Sequence, residues 1–409
     1  MHKNSSIVAY RAGFMLQVLV GAMATTAMAQ TPPGAMPVGP MFAYPELEIA
    51  ANRDSNIALQ PDATRKSGTI WYVRPAVRLE AKQGVNAFNL SYRGEYGRYD
   101  SQTNFNFNNH EVGATGDMTF DERNNLKLGL QYQDRVDPPG TLNIAQTPTP
   151  NKYHQPTFTA LYTYGAQDAA GKLELKGGFL DKEYVNNRFA TSGLDHSETD
   201  YGATFLWRIK PRTYATFNVK QTQYDYKESI STLNSTNTFA LVGLRWDATA
   251  ATSGQIAVGR VTKKFEDAGQ AAGRKDLTDT SWEGSIAWKP VSYSSIDFST
   301  QYRPVDSTGL GNYTINETYQ AVWTHAWTSR ITSKMLASYS SDKFASAPVA
   351  AIGGVDRSDT TKSGGLRLTY DMRRWLKLGA DYLHSERSSN DVNFDYKREQ
   401  IMLFVAGTL

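Results

Sequence analysis

Cysteine is absent from all 409 residues. An exported chain of this size without it has no disulfide framework, no thiolate for a metal and no thiol nucleophile. An excess of either charge is missing too, since 43 Lys and Arg stand against 40 Asp and Glu. Without a basic surplus or patch there is nothing to attract phosphates, and nucleic acid is not an expected partner. Repeated long apolar runs are also lacking. Mean hydropathy is −0.49, whereas a polytopic helical membrane protein needs several runs of about 20 apolar residues. Aromatic side chains are abundant instead, with 23 Tyr, 17 Phe and 8 Trp, alongside 32 Gly and 16 Pro.

The single apolar stretch lies at the start. His2, Lys3 and Arg11 precede an apolar core from Phe14 to Met23, and Ala27-Met28-Ala29 offers small residues before Gln30. Residues 1–29 read as a secretory signal peptide cleaved between Ala29 and Gln30. The apolar core is shorter than a spanning helix requires, and Gln30 is not the Cys of a lipid-attached protein. Cleavage removes Lys3 and Arg11, leaving 41 basic against 40 acidic side chains. Residues 30–43 contain TPPGAMPVGP and are expected to form an extended periplasmic tether without regular structure.

From residue 44 to 409 apolar and polar residues alternate with a period of two, which is the pattern of strands. Leu126, Leu128, Leu130 and Tyr132 share one face, opposite Lys127, Gly129, Gln131 and Gln133. Tyr201, Ala203, Phe205, Trp207 and Ile209 oppose Gly202, Thr204, Leu206 and Arg208; Leu376, Leu378, Ala380 and Tyr382 oppose Lys377, Gly379 and Asp381. Phe239–Trp246 and Gln255–Lys263 alternate poorly. Short breaks fall near Gly84, Arg123, Asp168, Pro211, Ala250, Val291, Thr328 and Met372, about 41 residues apart on average, and long polar breaks fall between them. The spacing predicts about 18 strands, or 16 after a slip of one hairpin.

A propeller or solenoid in water could share this repeat, but three features favour an antiparallel, up-and-down transmembrane β-barrel. Aromatics recur beside the short breaks: Phe120, Tyr164, Trp207, Trp246, Trp288, Trp327 and Trp375. Rings at one depth across many hairpins suit an interfacial girdle, where one end of the ring meets hydrocarbon and the other headgroups. Short periplasmic turns and long extracellular loops are also the asymmetry of outer-membrane barrels. Finally, Ile401, Leu403, Val405, Gly407 and Leu409 carry a strand to the last residue. Such a cylinder of 16 to 18 strands leaves an aqueous lumen unless something fills it. Loops such as 136–154 and 342–360 could fold inward as constrictions, but their composition does not show which way they turn.

The face opposite the lipid is expected to carry Arg74, Arg78, Lys82, Arg93, Lys127, Lys172, Lys176, Arg208, Lys220, Arg367 and Lys377, against Glu80, Glu95, Glu174, Glu283, Asp297 and Asp381. On this count the lumen is basic, with the remaining acids in loops. A basic lumen would favour polyanions. Alternatively, the charges form cross-lumen ion pairs that keep the interior wet.

Two stretches carry a family resemblance. Glu48-Ile49-Ala50-Ala51-Asn52-Arg53-Asp54-Ser55-Asn56-Ile57, followed by Arg74-Pro75-Ala76-Val77-Arg78-Leu79, resembles the opening of a family of outer-membrane β-barrel porins encoded in exopolysaccharide synthesis and export loci. Asp134-Arg135-Val136-Asp137-Pro138-Pro139-Gly140-Thr141 looks like that family's pattern at a strand top. The resemblance in hairpin spacing covers residues 44 to 409, and the specific motifs lie in the first third. It implies export of a secreted exopolysaccharide through a Gram-negative outer membrane, as in biofilm formation, together with periplasmic components of an export system. The other expected partners are outer-membrane lipid and the outer-membrane assembly machinery, although Leu409 replaces the terminal Phe usual in such barrels. General or substrate-selective passage of another polar solute is the alternative.

Other functional residues are sparse. Asp54, Ser55 and Asn56 have the side chains that stabilise turns. Tyr72, Tyr224 and Tyr226 could stack on sugars. No nucleophile elbow, zinc motif or phosphate loop occurs, so neither catalysis, metal nor cofactor is expected. Asp195-His196-Ser197-Glu198, and His384 with Asp381 or Glu386, are the nearest approaches to a catalytic group. Amino-terminal sequencing of the membrane-inserted protein is expected to begin at Gln30. A chain that still begins at Met1 would make the first segment an anchor.

Overall fold

The computed structural model describes residues 35–144, 146–247, 251–309, 311–348 and 354–408. The expected signal peptide, its cleavage site and Leu409 lie outside these. One antiparallel sheet accounts for nearly everything else. A short strand, β1 (Met36–Val38), pairs with the start of β2 (Met41–Asp54). The tether is therefore structured from Met36 onward. The Gly39-Pro40 turn lets the chain fold back on itself, with Gly39 at φ +60°.

The remaining strands are β3 (Gly68–Gln83), β4 (Asn86–Tyr99), β5 (Phe107–Thr119), β6 (Asn124–Asp137), β7 (Asn151–Tyr164), β8 (Gly171–Tyr184) and β9 (His196–Lys210). After them come β10 (Thr213–Tyr226), β11 (Ser235–Trp246), β12 (Thr252–Phe265), β13 (Leu277–Val291) and β14 (Ser294–Asp306). The last are β15 (Tyr313–Ala326), β16 (Ile331–Pro348), β17 (Asp356–Arg373), β18 (Leu376–Ser389) and β19 (Tyr396–Thr408). Each of β2 to β19 pairs with its sequence neighbour, and β19 pairs back onto β2, so 18 strands close a barrel. The alternation thus resolves to 18 strands rather than 16. Closure is what permits a sheet in lipid, because no edge is left with unpaired N–H and C=O groups.

Local chemistry sets the short turns. Gly84 sits at φ +61°, a left-handed conformation that costs glycine little, and the two-residue turn reverses the chain between β3 and β4. Between β5 and β6 the Asp121 carboxylate accepts the backbone N–H groups of Arg123 and Asn124 at 2.7 and 2.9 Å. The acid replaces ladder partners that the reversal removes.

Alternation separates two faces. Leu130, 58% exposed, and Leu403, 61% exposed, are typical of the outward apolar side chains, with Val112, Phe158, Phe217, Val258 and Leu368. The poor alternation of β11 and β12 has a structural cause. Phe239, Leu241 and Val261 form an apolar cluster on the inward face, so these strands are apolar on both sides. No helix among the described residues is long and apolar enough to cross a membrane; the strands do so.

Neighbouring residues of β6 should respond oppositely to the same change. Leu130→Arg places a charge against acyl chains at mid-strand and should cost about 2–4 kcal/mol, whereas Gln131→Arg, on the other face, should cost less than about 1 kcal/mol. Urea titration of the barrel in lipid vesicles reads both, and equal costs would refute the assignment of faces.

Candidate channel lining and constriction

The strand registers place each expected inward cation alternate to the exposed apolar residues. Arg74 of β3 donates from Nη1 to Glu48 Oε1 at 2.6 Å and from Nε to Glu95 Oε2 at 2.9 Å. It therefore ties β2, β3 and β4 together, and its guanidinium lies 4.1 Å over the Tyr72 ring. Arg78 pairs with Glu80 and lies over Tyr44. Lys127 meets Asp117 at 3.4 Å. Arg367 donates from Nε to Asp381 at 2.6 Å. Lys220 pairs with Glu283, three strands away along the sheet, and Lys172 lies over the Tyr214 ring. Lys176 sits opposite Gly202, and Lys377 opposite Asp371 and Ala406. Lys82, Arg93 and Arg208 form no ion pair within 4.0 Å among the described residues.

Strand ends add charges of both signs to the expected basic face. Glu48, Asp54, Glu111, Asp117, Asp137 and Asp359 occupy the same face through their registers. Several of these acids lie where the chain reads as loop, so reading the sequence alone leaves them out of the lumen. Cations are added as well: Arg135, Lys182, Arg245, Lys263, Arg357, Arg387 and Arg398. Continuing the period of two backward from Arg367, or onward from Lys377, would have found Arg357 and Arg387. On these named positions 18 cations stand against 12 acids, so a basic excess remains, and many of the charges are paired.

Burial of these pairs is graded along the barrel. At the extracellular ends Asp54 is fully buried beneath Arg398, which donates to it from Nε at 3.0 Å. Arg357 is 2% exposed, pairs with Asp359 and lies 3.4 Å over the Phe394 ring. Lys263 donates to Ser235 Oγ at 2.7 Å and approaches Asp306 at 3.4 Å. Toward the periplasmic ends the pairs are wetter: the Lys127 and Asp117 side chains are 42% and 35% exposed. Outside the sheet, Lys227 reaches Asp181 at 2.8 Å and Glu183 at 3.1 Å. Burial lowers its affinity for a proton, but these two carboxylates overcome that and hold its pKa above the ordinary lysine value.

The loop between β6 and β7 turns inward over residues 138–144. It leaves between β6 and β7, eight strands from the β14–β15 loop in one direction and ten in the other, and reaches that loop across the mouth. Asn143 donates its backbone N–H to the Thr308 carbonyl at 3.0 Å and its amide Nδ2 to Thr308 Oγ1 at 2.5 Å. Its Oδ1 accepts from Arg357 Nη1 at 2.8 Å. Gly140, at φ +76°, lies against the Ala58 carbonyl with no room for a Cβ. Asn104 binds the Pro148 carbonyl at 2.7 Å. The loop thus narrows the extracellular mouth.

Other candidate residues find local partners. The Asp54 carboxylate accepts Asn56 N–H at 2.9 Å, a turn contact, in addition to Arg398. Tyr224 and Tyr226 are buried, with Lys263 over the Tyr224 ring, so none of their faces is open to a sugar. His196 Nδ1 contacts the Leu194 carbonyl at 2.7 Å and Nε2 approaches Glu198 at 3.5 Å, while Asp195 binds Tyr184 N–H and Arg188. His384 and Asp381 have opposite parity on β18. Among the aromatics near the short turns, Phe120, Tyr164, Trp207, Trp288, Trp327 and Trp375 are exposed, whereas Trp246 is half-buried and closely packed on Gly254.

Comparisons with known proteins agree with this architecture. The family described as "Putative beta-barrel porin 2" matches residues 31–408. No curated protein matches the chain. Among solved structures, OpdO of Pseudomonas aeruginosa is similar at 14% identity and a TM-score of 0.50, over 91% of this chain and 98% of that one. OccK2 (OpdF) of the same bacterium, in complex with glucuronate, is similar at 11% identity and a TM-score of 0.50, over 90% of this chain and 98% of that one. These likenesses are of fold.

The depth gradient of the ion pairs has a measurable consequence. Asp54→Ala strands the buried Arg398 guanidinium and should cost about 3–5 kcal/mol. Asp117→Ala, at a half-exposed pair, should cost at most about 1 kcal/mol. Urea midpoints of the two variants in vesicles check the ranking, which equal shifts would overturn.

Proposed function

The chain belongs to the family described as "Putative beta-barrel porin 2", an outer-membrane porin channel, and from that premise we propose that its cargo is carbohydrate, specifically a secreted exopolysaccharide on its way out of the cell. The observation that carries this reading is the chemistry of the inward face. Neutral hydrogen-bonding side chains run along it: Gln131, Gln133, Thr157 and Thr159 on β6 and β7, and Gln301, Thr318, Gln320 and Ser338 on β14 to β16. The charges between them are mostly matched in pairs. Such a wall exchanges hydrogen bonds with a hydroxylated chain at every depth. The hydroxyl-binding side chains suit a hydroxyl-rich polymer, and the excess of cations over acids admits acidic groups on it. The resemblance of Glu48–Ile57 and Asp134–Thr141 to porins from exopolysaccharide loci supports the same cargo.

The seven aromatics near the short turns would anchor the periplasmic rim in the lipid interface, with the eleven cations lining the lumen. Small-solute diffusion is the second reading, and the observation favouring it is the loop 138–150 across the mouth, which narrows the way for a polymer. A deletion strain with its synthesis enzymes intact is expected to lose secreted polysaccharide. Undiminished secretion, with vesicles containing the pure protein swelling readily in small sugars, would replace the export reading with the second one. Reversal potentials across planar bilayers should show a preference for anions, and cation selectivity would exclude an acidic polymer.

A further inference from the structure

We infer that Asn143 is the positioning residue that holds the extracellular mouth narrowed, and that cargo passes when its contact with Thr308 and Arg357 is released. This rests on the channel reading. The loop 138–150 is secured to its own side of the barrel by ordinary neighbours, Pro148 to Asn104 and the 149–150 stretch to Asn186 and Asn187. Among the described residues, its hydrogen bonds to the opposite wall run through Asn143. That residue uses its backbone N–H, its side-chain amide nitrogen and its side-chain carbonyl oxygen on two partners.

The receiving side is held by several contacts. Arg357 is clamped by Asp359 and lies between the Phe394 and Phe344 rings, at 3.4 and 4.4 Å from their centroids. Gly309, at φ +116°, brings its backbone against the Asn143 carbonyl and Ile144, and a Cβ there would meet the Asn143 oxygen at 2.8 Å. The seat is therefore shaped to take the loop closely. Three hydrogen bonds on one side chain and one peptide unit are small beside the continuous ladder of the barrel wall, so the loop can leave this seat while the cylinder stays closed.

The absence of native cysteine makes a lock unambiguous. With Asn143 N and Thr308 O 3.0 Å apart, the two backbones lie close enough for a disulfide between Asn143→Cys and Thr308→Cys. The full barrel, refolded and checked for native electrophoretic mobility, would be recorded in planar bilayers and in vesicles with a neutral oligosaccharide outside. Oxidised, with the crosslink verified by peptide mapping, the double variant should conduct less than the wild type and swell more slowly, and a reductant should reverse both, leaving the wild type unaffected. Asn143→Ala should shift the closed-to-open ratio toward open by about tenfold, the equivalent of about 1.4 kcal/mol.

Failure of the disulfide to form would mean that the contact is absent, and the inference falls. Equal conductance of oxidised and reduced forms also overturns it, while a conducting wild type leaves the channel reading standing. If Asn143→Ala does not fold, the redox pair decides within a single folded molecule. Silence of every form, the unlocked ones included, would overturn the channel reading and this inference with it.

Discussion

Closure of the sheet between β19 and β2 is the constraint on which the rest of the structure depends. Within lipid an open edge would leave a row of unpaired backbone groups, each costing several kcal/mol. The seam pairs only Glu46–Asp54 with Gln400–Thr408. It is extended above by Arg398 on Asp54, by Ser55 Oγ accepting the Glu399 N–H at 2.7 Å, and by Asn56 binding the Lys397 carbonyl at 3.1 Å. The first and last transmembrane strands are 340 residues apart in sequence, and their join is reinforced by side chains where the backbone ladder ends.

Once closed, the cylinder imposes its electrostatics. A charge on the inward face sits near a low-dielectric wall, and burying it without a partner is costly. Pairing is tightest where water is scarcest, at the extracellular ends, and loosens toward the periplasm. Chords such as Lys220 to Glu283 and Arg245 to Glu174 span several strands. Lys220 lies over the ring of Phe239, which packs with Leu241 and Val261 on the inward face.

Function then concentrates at the mouth. The wall is a regular repeat, and regularity alone distinguishes no cargo. What breaks the repeat is the loop carrying Pro138 to Pro150, whose glycine at 140 and asparagine at 143 fit features of the Ala58 loop and the Thr308 loop. Specificity on a rigid scaffold is commonly placed in such loops.

The alternation of Leu126 to Gln133 or Leu376 to Tyr382, and the two classes of break, determined by themselves the barrel and which side of each clear strand meets lipid, and left the strand number at 18 or 16. This follows because a period of two is a local property of extended backbone. Other features depended on tertiary structure. Strand ends such as Asp54, Asp137 and Arg357 read as polar loop, since a charge at a strand end looks the same whether it is solvated or paired across the lumen. β11 and β12 lost their alternation because Phe239, Leu241 and Val261 pack together on the inner face, a contact made only when the two strands pair. The path of loop 138–150 rests on partners more than 160 residues away, Thr308 and Arg357, and no local pattern encodes a contact made across a closed cylinder.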